Sequence, residues 1–136
     1  MLLAPLLALV LATIFDVRTR QIPDSISIGL FVWAVTTTAL GMSSHGWISL
    51  ALGAGAGLSI GTLLFWLGGF GGGDVKLLAS LGATLGVRAF PAFLFYAALA
   101  GGVLAGIALL RGKRDLAYAP AMALGLVVFM MVRGMR

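Results

Sequence analysis

The sequence predicts an all-α, polytopic membrane protein of about six transmembrane helices. It reads as a single membrane-embedded domain over residues 1–136, with an extracytoplasmic N-terminus. Three observations predict this. Apolar residues make up 61% of the chain, charged residues only 10%, and mean hydropathy is +1.13. So few polar groups cannot clothe that much apolar side chain in water, and lipid is the expected outer solvent. The apolar residues fall in runs long enough to enter a bilayer as helices. Nine Lys and Arg stand against four Asp, in short clusters between those runs. That is the pattern of topology-setting charge at an anionic leaflet rather than of nucleic-acid binding.

Residues 1–15 form the first run, about 22 Å at the helical rise, and the helix is expected to pass Asp16 toward Arg20. A cleaved secretory signal is the rival reading, but the run has no basic start and no small-x-small site before Asp16. Ile22-Pro23 ends the helix, because proline disfavours helical geometry in the residue before it. Asp24 or Ser25 is placed to cap the next helix. Residues 25–42 form the second span, whose Thr36, Thr37 and Thr38 are expected to bond within their own helix. After the polar loop Ser43 to Gly46, Trp47 is an interfacial anchor for a third span over 48–67. Gly53, Gly57 and Gly61 recur there at every fourth position, a smooth face along which another helix can approach closely.

Five of the six residues 68–73 are glycine, and they lead into Asp74. The next apolar stretch, 77–87, is only eleven residues long between Lys76 and Arg88. It spans if both basic side chains snorkel, or it lies partly in the interface. Residues 90–110 are a clear span with small residues at Gly101, Gly102, Ala105 and Gly106. A basic loop over 111–115 then leads to the last span, 116–132, where Pro120 and Gly125 predict a distorted helix. With six spans and the N-terminus outside, the inner loops carry Arg18, Arg20, Lys76, Arg111, Lys113 and Arg114, and the outer ends carry Arg88, Arg133 and Arg136. Six against three favours this orientation, and a five-span version gives the same ratio. Both put Asp16 and Asp74 at the cytoplasmic face.

The residues available for chemistry are few. There is no cysteine, hence no disulfide, thiol nucleophile or thiolate zinc site, and the single histidine, His45, builds neither a metal cluster nor a catalytic triad. Carboxylates remain. Asp16 and Asp74 each stand where an apolar run meets a cytoplasmic loop, and a carboxylate near hydrocarbon is costly enough to mark function. Either one alone also reads as a helix-end residue facing headgroups beside Arg18 or Lys76. Two at one depth, one behind a glycine-rich approach, favour chemistry. Without side chains the 71–73 backbone can turn sharply and admit an extended peptide, although a plain inter-helix linker is the alternative. The stretch has neither the glycine-lysine-hydroxyl ending of a Walker loop nor the spacing of a dinucleotide fingerprint. Two close carboxylates share one proton, so one can activate water while the other hydrogen-bonds a scissile carbonyl. Peptide hydrolysis of this kind needs no metal and no cofactor.

Here the residues become familiar. DVRTRQIPD, Asp16 to Asp24, followed by GGGDVKLLASLGA, Gly71 to Ala83, resembles the prepilin peptidase family of membrane aspartic proteases. Gly71, Gly73 and Asp74 match its Gly-x-Gly-Asp signature, which presenilin-like proteases share, and AYAPAMALG, Ala117 to Gly125, is similar to its tyrosine-proline-glycine segment. Ala119 stands where the family usually has glycine. The resemblance implies a cytoplasmic-membrane aspartic endopeptidase that removes the short basic leader of prepilin-like membrane substrates, with Asp16 and Asp74 as the catalytic pair. Gly71, Gly73, Ile22, Pro23, Lys76 and Arg18 would shape the loops or meet the substrate. The nine residues Asp16 to Asp24 leave no room between the first two helices for the Cys-bearing region of larger, N-methylating members. The chain therefore resembles the compact form serving Flp-type tight-adherence pili, with peptidase activity and no methylation expected.

Asp24 reads as a cap, Asp115 as a solvated partner of Arg111 or Arg114, and His45 as a loop residue on the far side from the aspartates. Two rival functions stand beside the main one. An archaeal preflagellin-type leader peptidase would carry the same motifs. A non-enzymatic transport or scaffold subunit would carry ionisable groups along its spans, and here the mid-span positions are nearly free of them.

Overall fold

The computed structural model describes residues 3–113 and 118–134. All the regular structure among them is helical: α1 (Leu3–Thr19), α2 (Asp24–Ala39), α3 (Trp47–Trp66), α4 (Gly72–Leu110) and α5 (Tyr118–Gly134). Arg114, Asp115 and Arg136 lie outside the described residues, so the reading of Asp115 as a solvated partner is not addressed.

The long α4 is two arms. Gly86 breaks it with φ 72° and ψ 164°, a conformation that residues with a Cβ rarely adopt. The arms fold back beside each other. Leu78 of the first and Leu94, Ala97 and Gly101 of the second line one cavity, whereas a straight rod would hold Leu78 and Gly101 roughly 35 Å apart. The short stretch 77–87 thus belongs to a first arm that begins at Gly72, and this arm is the centre of the bundle. Leu77, Leu78, Leu81 and Ala83 are almost fully buried. Around it Leu9, Leu30, Phe90, Phe93, Met122 and Leu126 complete the core.

The glycine ladder of α3 meets this arm. A Cβ on Gly53 would overlap the carbonyl of Gly82, one on Gly57 the carbonyl of Leu78, and one on Gly61 would stand 3.1 Å from Cα of Val75. Backbone therefore packs on backbone, as the four-residue repeat predicts. The second small-residue series behaves differently. Gly101 approaches Ala121 of α5, but a Cβ on Gly102 or Gly106 would meet nothing within 4 Å, and Gly102 lines a cavity of about 480 Å³.

Two expectations change. The described part of α5, Tyr118–Gly134, runs as one helix through Pro120 and Gly125 without a break. Gly125 instead admits Ala97, whose Cα a Cβ there would overlap. Asp24 does not cap α2. Pro23 holds the N-cap position without a side-chain hydrogen bond, and Asp24 is already in the first turn.

The outer surface is apolar. Leu110 is 90% exposed, Trp66 83% and Ile48 78%. Two helices, Trp47–Trp66 and Gly72–Leu110, are long and apolar enough to cross a membrane, and most of each apolar window faces outward. That excludes the buried core helix of a water-soluble domain and makes this a membrane protein.

Candidate active site

One end of the bundle gathers the end of α1, the connection to α2, the glycine loop and the start of α4. Thr19 to Asp24 and Gly71 to Asp74 line one open cavity of about 640 Å³. The opposite end is marked by Leu3, Ser43 to His45, Leu85 and Arg133, which line a different cavity. Arg88 joins Arg133 there, so the basic residues on either side of 77–87 stand at opposite ends.

Asp74 is the third residue of α4. Its Oδ2 accepts from the N–H of Gly71 at 3.1 Å, satisfying one of the amides that every helix N-terminus leaves unpaired. The residue is 8% exposed, and its Oδ1 is buried without a hydrogen-bond partner. A buried acceptor left open is costly, and where it persists it calls for an explanation in function. Asp16, in the last turn of α1, is half-buried and lies near enough for its charge to act on Asp74. Its Oδ2 accepts a long bond of 3.4 Å from the N–H of Ala119 in the first turn of α5.

The glycines contribute differently from the expectation of a sharp turn at 71–73. The left-handed turn is at Gly68, φ 77°, and α4 begins by Gly72. Gly71 is in ordinary extended geometry, φ −84°. Gly73 matters for space: a Cβ there would stand 3.1 Å from Cβ of Ile22 and 3.2 Å from its carbonyl oxygen. Ile22 is itself nearly buried, and Pro23 follows with φ −59°. The two motif stretches read from the sequence therefore touch through Ile22 and Gly73. Lys76 does not stand free to meet lipid. Its Nζ pairs with Asp24 Oδ2 at 2.7 Å on the rim of the cavity. Arg18 is exposed in the last turn of α1.

One aromatic residue passed over in the sequence packs beside the tyrosine of the tyrosine-proline-glycine segment. Phe70, the one interruption among the glycines, lies 4.8 Å from Tyr118 between ring centroids. Its position inside a glycine run was the available signal. Among the described residues no group of His, Cys, Asp or Glu is arranged to hold a metal ion.

The fold and this cluster define a helical membrane protein with Asp16 and Asp74 at one end, beside a glycine-lined cavity. The chain belongs to the type IV leader peptidase family, whose model matches residues 3–106. It is similar to three bacterial proteins, each called prepilin leader peptidase/N-methyltransferase. It is 34% identical to that of Neisseria gonorrhoeae over 129 residues, covering 89% of this chain and 45% of the relative. It is 32% identical to that of Bacillus subtilis strain 168 over 126 residues, covering 88% and 50%. For Pectobacterium carotovorum the figures are 34% over 137 residues, 93% and 49%. The chain thus spans about half the length of these relatives. No solved structure matches it.

Proposed function

We propose that this protein is a membrane aspartic endopeptidase that removes the leader from prepilin-like substrates at the cytoplasmic face. The observation that carries the reading is the buried, unpartnered Asp74 Oδ1 beside an open cavity, at the end of the bundle where Asp16 stands in the last turn of α1. Membership of the leader peptidase family and the names of the relatives support it.

The chemistry follows from two carboxylates that share one proton. The ionised member takes a proton from water, whose oxygen bonds to the scissile carbonyl carbon. The protonated member hydrogen-bonds the carbonyl oxygen as charge develops there. Its proton passes to that oxygen to complete a gem-diol. On collapse one hydroxyl proton returns to the carboxylate so formed, the C–N bond breaks, and the proton taken from water passes to the leaving nitrogen. The titration belongs to the pair, so neither role is assigned to one aspartate. The gap between the Ile22-Pro23 connection and the Gly71 to Gly73 backbone offers an extended peptide a route to the carboxylates.

In this proposal α4 crosses the bilayer twice and the protein six times, with Arg18, Arg20, Lys76, Arg111 and Lys113 inside and Arg88 and Arg133 outside. Only residues 20–23 connect α1 to α2, which leaves no room there for a second catalytic region. Peptidase activity without N-methylation is the corresponding expectation.

Co-expression with a candidate prepilin, read by gel mobility, tests the reading. Leader removal by the parent protein that is lost on Asp16→Asn and on Asp74→Asn is the expected result. Removal that survives both substitutions rejects the pair.

A further inference from the structure

The glycine seam between α3 and the first arm of α4 fixes how close the two helices lie. Along the common axis the arm is also held from another side by Ser80, whose Oγ donates to the Ser27 carbonyl of α2 at 2.8 Å. Continuity with the second arm does not by itself fix the register at the far end, because the chain breaks at Gly86. Yet Asp74 is at one end of this arm and Gly86 at the other, roughly 18 Å away at the helical rise. An axial slip at the break moves Asp74 by the same amount, and misplacement by about 1 Å is enough to slow a reaction of this kind by up to a hundredfold.

At the break, two side chains from outside α4 take up the backbone groups that the interrupted helix leaves over. His45 Nε2 lies 3.2 Å from the carbonyl oxygen of Ala83, which only accepts, so Nε2 carries the proton and donates. Ser49 Oγ accepts from the N–H of Val87 at 3.1 Å. One bond is thus made on each side of Gly86. The fit is close as well as polar: a Cβ on Gly86 would stand 2.7 Å from Ser49 Oγ and 2.9 Å from the His45 ring. His45 is in turn set by its own loop, where Ser43 Oγ donates to the His45 carbonyl at 2.7 Å.

We infer that His45 and Ser49 are positioning residues for Asp74: a clasp at the far end of the bundle that sets the axial register of the arm carrying it. The inference rests on the peptidase reading for its kinetic consequence, but not for its geometry. A passive loop histidine would need neither a bond into α4 nor a serine one helical turn later bonding the other side of the same break.

The test uses the full chain in membranes. The protein has no cysteine, so Gln21→Cys with Gly72→Cys supplies the only two thiols, one on each wall of the cavity at the opposite end. Bifunctional thiol reagents of graded spacer length read their separation. His45→Ala is expected to shift the preferred spacer, His45→Gln, which keeps an N–H donor, to restore it, and Ser49→Ala to shift it again. On the thiol-free background the same Ala variants are expected to lower kcat for leader cleavage roughly ten- to a hundredfold, with KM within about twofold and the Gln variant near the parent. An unchanged spacer preference in both Ala variants overturns the clasp, as does a shifted preference with unchanged kcat. If His45→Ala does not accumulate, Ser49→Ala carries the measurement. Shifted spacers in a parent protein that cuts no prepilin would support the clasp and count against the peptidase reading.

Discussion

The N–H of Ala119 donates to Oδ2 of Asp16 at 3.4 Å, joining two residues 103 positions apart. The bond ties the end of α1 to the start of α5, and it shows why an aspartate can be tested here without dismantling its surroundings. Asparagine keeps an acceptor oxygen for that amide and almost the same volume, but it cannot exchange a proton. Asp16→Asn and Asp74→Asn are each expected to lower leader cleavage by about 10²–10⁴-fold. Thermal unfolding in detergent should stay close to the parent, and gel mobility of a co-expressed prepilin reports the rate.

Gly73 and Gly72 are neighbours with opposite sensitivities. A Cβ on Gly73 meets Ile22 at 3.1 Å, whereas one on Gly72 meets nothing within 4 Å. Gly73→Ala should therefore push the Ile22-Pro23 connection away from the start of α4 and reduce cleavage at least tenfold. Gly72→Ala should fold at least as well as the parent, since alanine is favoured over glycine in a helix by about 1 kcal/mol. Equal rates for the two variants would contradict the close contact.

The seam between α3 and α4 predicts a stability difference within one helix turn. Gly57→Ala forces a methyl against the Leu78 carbonyl, and overpacking of this kind costs typically about 1–3 kcal/mol. Gly55→Ala faces open space and should be neutral or slightly stabilising. Thermal unfolding midpoints of the two variants in one detergent are the comparison.

Lys76 and Asp24 form an exposed pair, with both side chains 56% accessible. Pairs of this kind contribute about 0–1 kcal/mol and are screened by salt. Asp24→Asn is expected to leave the unfolding midpoint within a few degrees, with any difference shrinking as salt rises. A large, salt-independent loss would mean that the pair is buried when the cavity is occupied by lipid or peptide.

Much of the site was legible in the sequence for a chemical reason. In a chain with four carboxylates and one histidine, few side chains can move a proton, so Asp16 and Asp74 stand out before any fold is known. The seam at Gly53, Gly57 and Gly61 was legible as well, because glycine so frequent within a helix has few uses other than close packing. The cap at Asp24 was misread because local rules see only the adjacent helix. A lysine 52 positions away offered the carboxylate a stronger partner.

By itself the sequence determined the solvent, the helical class and the short roster of reactive groups. These follow from composition and from the spacing of apolar runs, which are properties of the chain taken a few residues at a time. Only the tertiary structure decided that 72–85 is the buried centre of the bundle, that the turn falls at Gly86, and that His45 and Ser49 reach across to it. Those depend on which backbone groups lose their partners when a helix breaks, and on which distant side chains stand close enough to replace them.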